Sequence, residues 1–165
     1  RSLIGLLQLP ISPLPSTTYP ELSRAVAQDN WKAVRGVLRR GSLLAALYSL
    51  PVAVVLILFG RQVITLYQGV DFLPAYAPLV ILTLGYTVVN LFYWSRAALL
   101  AFNRPVYPTL VNLAGMLLKI AGVFALAQYG AVGFATLLSG YYMFTVGLSV
   151  LRINKDLRTN LARVS

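Results

Sequence analysis

Few side chains in this chain could do chemistry, and one of them stands alone. Lys119 is the single charged residue between Pro105 and Leu151, inside the apolar stretch VNLAGMLLKIAGVFALAQYG (Val111–Gly130). An ammonium in such surroundings can receive a phosphate or another anion. The usual acid–base and nucleophilic groups are missing: there is no histidine and no cysteine. This removes imidazole and thiolate chemistry and the commonest metal ligands. Glu21, Asp29, Asp71 and Asp156 are the only carboxylates, and they are far apart in the chain. No catalytic set, metal site or cofactor is expected from these residues.

The solvent follows from composition. Hydrophobic residues make up 58% of the chain and charged residues 11%, against about 25% charged in soluble domains. Mean hydropathy is +0.74. Too few polar groups exist to cover a water-facing surface. The net charge of +10 does not indicate a nucleic-acid partner. Its cations form short clusters between long uncharged runs, as in a polytopic membrane protein, rather than a basic stripe on a soluble core.

The uncharged runs set the elements. Gly41–Gly60, Phe72–Ser95, Pro105–Leu118 and Ile120–Leu151 carry no charge, and the last exceeds one span. About 20 apolar residues cross a bilayer core, and lipid permits helices there because the backbone must satisfy itself. Four crossing helices are expected at about 41–60, 74–96, 106–127 and 131–151, followed by a short basic tail. The expected fold is therefore an all-α polytopic membrane protein. Residues 1–18 read as the tail of a crossing helix whose beginning is missing; a cleaved signal peptide is the alternative.

Residues 19–40 read as an amphipathic link of two short helices. Thr18 and Glu21 have capping-box spacing, Pro20 suits a first turn, and Asp29 stands at an N-cap position. Trp31 is expected at headgroup depth. Arg24, Lys32, Arg35, Arg39, Arg40, Arg96, Arg104, Arg152, Lys155, Arg158 and Arg163 fall on one side of the expected spans, and Arg61 on the other. The positive-inside rule then places the basic loops and the C-terminus in the cytoplasm, and residues 67–74 and 128–130 outside. The cations serve as anchors or contact anionic lipid headgroups.

Helical periodicity groups the polar residues of the spans. Tyr76, Thr83, Tyr86, Thr87, Tyr93 and Trp94 fall within about 60° of Asn90. That face suits sugar hydroxyls, or it is a polar seam between packed helices. Asn90, Tyr86, Thr83 and Tyr93 are the candidates there. On the next helix Pro108, Asn112, Gly115, Lys119 and Gly122 share an arc of about 80°. Lys119 therefore belongs to a stripe of small and polar residues. A mid-span lysine costs about 2.5–3.5 kcal/mol on insertion scales. It contacts an anionic substrate, pairs with an acid elsewhere, or snorkels. Arg61 and Arg96, at span ends, are candidates for headgroup contact. Gly133, Thr136, Gly140 and Gly147 form a small-residue face suited to close packing. Pro51 and Gly60 are possible bends.

In order along the chain, TYPELSRAVAQDNWKAVRGVLRR, FGRQVITLYQGVDFLPAYAPLVIL, RAALLAFNRP and YGAVGFAT resemble the C-terminal half of polysaccharide flippases. These belong to the multidrug/oligosaccharidyl-lipid/polysaccharide exporter superfamily. The resemblance covers nearly the whole chain through order and spacing rather than one diagnostic motif. It departs at the helix before the Gly-Ala turn, where the family's asparagines are replaced by Asn112 and Lys119. The resemblance implies part of a MATE-like two-lobe helix bundle with a missing N-terminal lobe. It implies a multi-pass protein of the bacterial cytoplasmic membrane that moves a polyprenyl-pyrophosphate-linked oligosaccharide across the lipid bilayer.

Other functions fit less well. A lipid II flippase or a multidrug/cation antiporter belongs to the same superfamily, but an antiporter favours an acidic cavity. A membrane glycosyltransferase or polymerase needs positioned acids, bases or a metal. A purely structural membrane subunit accounts for the hydrophobicity and leaves Lys119 without a role.

Overall fold

The computed structural model describes residues 14–164, with side chains placed for residues 18–162. The expectation for residues 1–18, the tail of a crossing helix, lies outside the described residues up to residue 13, and residues 14–18 belong to a helix that continues past the expected boundary to Ala27. Six α-helices follow in order: α1 (Leu14–Ala27), α2 (Trp31–Gln68), α3 (Tyr76–Leu91), α4 (Ser95–Ala101), α5 (Val106–Leu126) and α6 (Gly130–Val164). Short 3-10 turns at Val70–Ala75 and Ala127–Tyr129 precede α3 and α6. No strand occurs among the described residues.

Three segments are long and apolar enough to cross a membrane: Trp31–Gln68, Val70–Ala101 and Val106–Ala162. The third is folded back on itself. Tyr107 donates a hydrogen bond to the Leu148 carbonyl, Gly115 faces Tyr141 and Thr145, and Gly122 faces Leu137, so α5 and α6 run antiparallel. Gly130 makes that reversal with φ 56° and ψ −134°, a region that side-chain-bearing residues avoid.

α2 and α3 are antiparallel as well. Tyr76 donates to the Ile57 carbonyl near one end, and Ser42 donates to the Leu91 carbonyl near the other. α3 and α6 run parallel: Ser139 donates to the Ile81 carbonyl, and Tyr142 to the Tyr86 hydroxyl. Side by side, the long helices lie in the order α2, α3, α6, α5. The last helix thus separates α3 from α5, its predecessors in sequence.

The basic segments converge at one end of the row. Leu22, Val34, Leu38, Trp94, Ala98, Leu99 and Ile153 pack into one buried cluster drawn from α1, α2, α4 and α6. Arg104 and Arg152 approach the Asp156 carboxylate at 3.2 and 3.6 Å there. The turns at Val70–Ala75 and Ala127–Tyr129 form the far end.

Several expectations change. The link is not two short helices, because its second half is continuous with the first span in the 38-residue α2. Gly41 does not interrupt it; it admits the Tyr93 hydroxyl, which a Cβ would meet at 2.7 Å. Asn30, not Asp29, caps α2, accepting from the Ala33 amide at 3.0 Å, while Asp29 takes a left-handed turn conformation with φ 50°. Thr18 lies inside α1 rather than capping it, and its hydroxyl shares a 3.1 Å hydrogen bond with Tyr93. Trp31 is buried, edge-on to Phe102 at 5.5 Å.

The expected helix at 74–96 is not one element. α3 stops at Leu91, and α4 forms a separate helix where a loop is expected. Trp94 fixes the break: its indole donates to the Ser42 hydroxyl at 2.7 Å and its ring meets Phe92 edge-on. Gly60 is a close-approach position against Tyr76 and Leu79, and α2 continues past Pro51, which has no amide to give to the ladder. On α6, Gly133 packs against the Leu126 carbonyl, but Gly140 and Gly147 have open space beside them and Thr136 is exposed. The packed face of α6 is instead Ala135, Ser139, Thr145, Ser149, Ile153 and Leu157.

Candidate functional site

α5 is the least covered of the long helices, with Pro108, Val111 and Gly115 its buried residues. Gly115 and Gly122 lie against α6, where added Cβ atoms would collide with Tyr141, Thr145 and Leu137. This close approach turns the small-and-polar stripe toward α6 and leaves its polar members at the edge of the contact. Asn112 and Lys119, two turns apart, both line a groove of about 610 Å³ between α5 and α6. Thr109, Tyr141 and Tyr142 add hydroxyls, and Met116, Val123 and Leu138 add apolar wall.

The Lys119 ammonium stands over the Tyr141 ring, 5.6 Å from its centre. Cβ atoms tilt toward a helix N-terminus, which on α5 is the basic end. The side chain is therefore directed toward mid-span and away from the nearer far end. Tyr141 is 11 residues into α6, about 16 Å from the turn at Gly130. This is roughly half of a 30 Å hydrocarbon thickness, so snorkelling to either interface is disfavoured. No ion pair involves Lys119 among the described residues. The carboxylates lie elsewhere: Glu21 on α1, Asp29 and Asp71 in turns, and Asp156 paired at the basic end.

The magnitudes leave a remainder. A cation over an aromatic face contributes about 0.5–1 kcal/mol when exposed and about 2 when desolvated. Insertion of lysine at a helix centre costs about 2.5–3.5 kcal/mol. Tyr141 therefore offsets part of the cost, and water or an anion in the groove would have to supply the rest.

The remaining candidates are dispersed. Thr83 and Asn90 are 0% and 4% exposed, so they lie in the seam between helices and not on the α5–α6 groove. Thr83 and Thr87 each donate to the carbonyl one turn back. Tyr93 belongs to the basic end through Thr18 and Gly41. Tyr86 reaches the groove indirectly, accepting from Tyr142 at 3.3 Å with the rings 5.1 Å apart. The polar-aromatic face of α3 is thus mostly spent on packing.

Arg96 is exposed on α4 and lines a small hollow of about 100 Å³ with Asn112, Thr145 and Ser149. Asn112 borders both this hollow and the larger groove. Arg61 instead sits over Tyr76, 5.1 Å from the ring centre, at the far end. The 16-residue α3, about 24 Å long, separates the two arginines, so they cannot hold one headgroup together.

Sequence reasoning missed Tyr141, Tyr142 and Thr109. The signal was available: adjacent tyrosines in the middle of an uncharged span are not interface-belt residues. No cluster of potential metal ligands occurs among the described residues. Comparison with protein-family models, curated proteins and solved structures finds no match.

Proposed function

We propose that this chain is part of a membrane flippase for an anionic lipid-linked oligosaccharide, with the α5–α6 groove as a contact site for the cargo's charged headgroup. The observation that carries the reading is Lys119: an ammonium at mid-span, on a groove, offset by one tyrosine ring. A pyrophosphate supplies the missing counter-charge. Asn112, Thr109 and the two tyrosines offer hydrogen bonds suited to sugar hydroxyls, and the apolar wall suits a prenyl chain. The order of motifs described above supports a polyprenyl-pyrophosphate carrier over other anionic amphiphiles. A preceding lobe of the same protein would close the groove, which is consistent with the long exposed apolar face of α5.

The test is substitution of Lys119 in the full chain, with flipping of lipid-linked oligosaccharide and thermal stability measured together. Lys119→Ala should abolish flipping while expression holds or rises, because the insertion cost disappears with the charge. Lys119→Arg should retain part of the activity, since the charge survives in a different hydrogen-bonding geometry. Lys119→Glu should be worst. Normal flipping by Lys119→Ala would sink the proposal. Loss of flipping with collapse of stability, rescued for Lys119→Glu by reversing an acid elsewhere, would assign Lys119 to a structural ion pair.

A further inference from the structure

We infer that the outer face of α2 at the basic end is a binding strip for anionic phospholipid headgroups, a role independent of the cargo reading. At 100° per residue, Lys32, Arg35, Arg39 and Arg40 fall on one side of α2, and all four are exposed. The opposite side holds Trp31, Val34 and Leu38 in the buried cluster. The cationic face then continues without a turn of the helix into Leu43, Leu47, Leu50, Val54 and Leu58. These are 59%, 75%, 48%, 51% and 65% exposed. It ends at Arg61, which is exposed as well.

Length fixes the depth of each charge. The uncharged stretch 41–60 spans about 30 Å of helix, which matches the hydrocarbon core of a bilayer. With that stretch in hydrocarbon, Arg39 and Arg40 stand at its boundary. Arg35 lies about 9 Å beyond residue 41, and Lys32 about 13 Å beyond. The headgroup layer is roughly 5–8 Å deep on each side. Cβ atoms on α2 tilt toward its N-terminus, away from the hydrocarbon. Arg39 and Arg40 are thus directed into the phosphate layer, Arg35 to its outer edge, and Lys32 past it.

These cations are free to act. The described ion pairs engage Arg104 and Arg152 with Asp156 and none of the four. They are also held in place. The Asn30 cap and the packing of Trp31, Val34 and Leu38 keep this part of α2 helical and fixed to α1, α4 and α6. The arrangement is a rigid row of charges rather than a floppy basic tail. A cluster of cations directly beside a membrane-spanning segment attracts anionic lipid. The continuous leucine-rich face below favours a lipid over a soluble polyanion, which would have no use for it.

The test reconstitutes the full chain in phosphatidylcholine bilayers containing trace spin-labelled lipid. Association is read from the motionally restricted fraction of the spectrum. Phosphatidylglycerol label should associate severalfold more strongly than phosphatidylcholine label, and the preference should fall as salt rises. Each cation in the headgroup layer should contribute up to about fivefold. Arg39→Gln/Arg40→Gln should therefore lower the preference most, Arg35→Gln less, and Lys32→Gln least. Arg39→Lys/Arg40→Lys should retain it. Unchanged phosphatidylcholine association and circular dichroism would show that each variant is folded and inserted. Equal association of both lipids with the wild-type chain overturns the inference, as does a preference that survives Arg39→Gln/Arg40→Gln. Displacement by millimolar free pyrophosphate also overturns it, because that would mark a soluble-anion site.

Discussion

Two glycines, Gly85 and Gly140, should respond to the same substitution with opposite signs. Gly85 lies where α3 meets α6. A Cβ there would stand 2.5 Å from the Ser139 hydroxyl oxygen, 2.8 Å from its Cβ and 2.9 Å from its Cα. The last atom is backbone, so no rotamer change relieves the contact. Restoring ordinary carbon–carbon separation of about 3.5–4.0 Å requires α3 and α6 to part by roughly 1 Å. A gap of that size forfeits a quarter to a half of each dispersion well along the contact. Overpacking of this kind costs about 1–3 kcal/mol. The shift also strains the Ser139 hydrogen bond to the Ile81 carbonyl, at 2.7 Å, and interhelical bonds in membranes average about 0.6 kcal/mol. Alanine recovers up to about 1 kcal/mol in helix propensity. The net expectation for Gly85→Ala is a loss of about 0.5–2.5 kcal/mol.

Gly140 is also helical, on α6, but no atom lies within 4 Å of the position its Cβ would take. Gly140→Ala should therefore gain up to about 1 kcal/mol from propensity alone. The assay is reversible unfolding of the full chain in mixed micelles by increasing mole fraction of sodium dodecyl sulfate, followed by helical circular dichroism. The two variants should bracket the wild type and differ by about 1.5–3.5 kcal/mol, the sum of the two effects. Equal stability of the two variants would refute the Gly85–Ser139 contact as the seam between α3 and α6.

Gly41→Ala should cost about 1 kcal/mol by displacing the Tyr93 hydroxyl; adding Tyr93→Phe should recover part of that loss in a double-mutant cycle, because the clashing oxygen is gone. Trp94→Phe should lower stability by about 0.5–1.5 kcal/mol through the lost bond to Ser42, and the same unfolding assay reads it. Single cysteines placed in this cysteine-free chain at positions 35 and 158 should react with an impermeant reagent from one side of a membrane, and cysteines at 69 and 129 from the other.

The helices were legible because lipid leaves so little choice. Charge-free runs of span length, bounded by Arg40 and Arg61 or by Asp71 and Arg96, demand helix, and helices occupy each of them. Boundaries were less legible. Asp29 and Asn30 are both good caps, and the sequence does not say which one takes the left-handed turn and leaves the other to accept the Ala33 amide. Continuity of α2 through Gly41 depended on Tyr93, which is 52 residues away in the chain. The break at Phe92–Trp94 depended on Ser42. Such contacts are set by tertiary packing, which periodicity does not contain.

The site divides the same way. Periodicity correctly groups residues on a face but is silent about what that face meets. The tyrosine–threonine face of α3 suited either sugar hydroxyls or a polar seam between packed helices, and periodicity does not choose between them. Insertion of α6 between α3 and α5 covers that face: Thr83 and Thr87 are buried, and Tyr86 is engaged by Tyr142. The same insertion makes the α5 groove, since α6 brings Tyr141 beneath Lys119 while covering only the small-residue edge of α5. The helix carrying the residue most expensive to place in lipid is thus the helix with the fewest neighbours. A ring worth about 2 kcal/mol at most does not balance an insertion cost of about 2.5–3.5 kcal/mol. On the flippase reading proposed above, an anion entering the groove would supply the counter-charge that the ring does not.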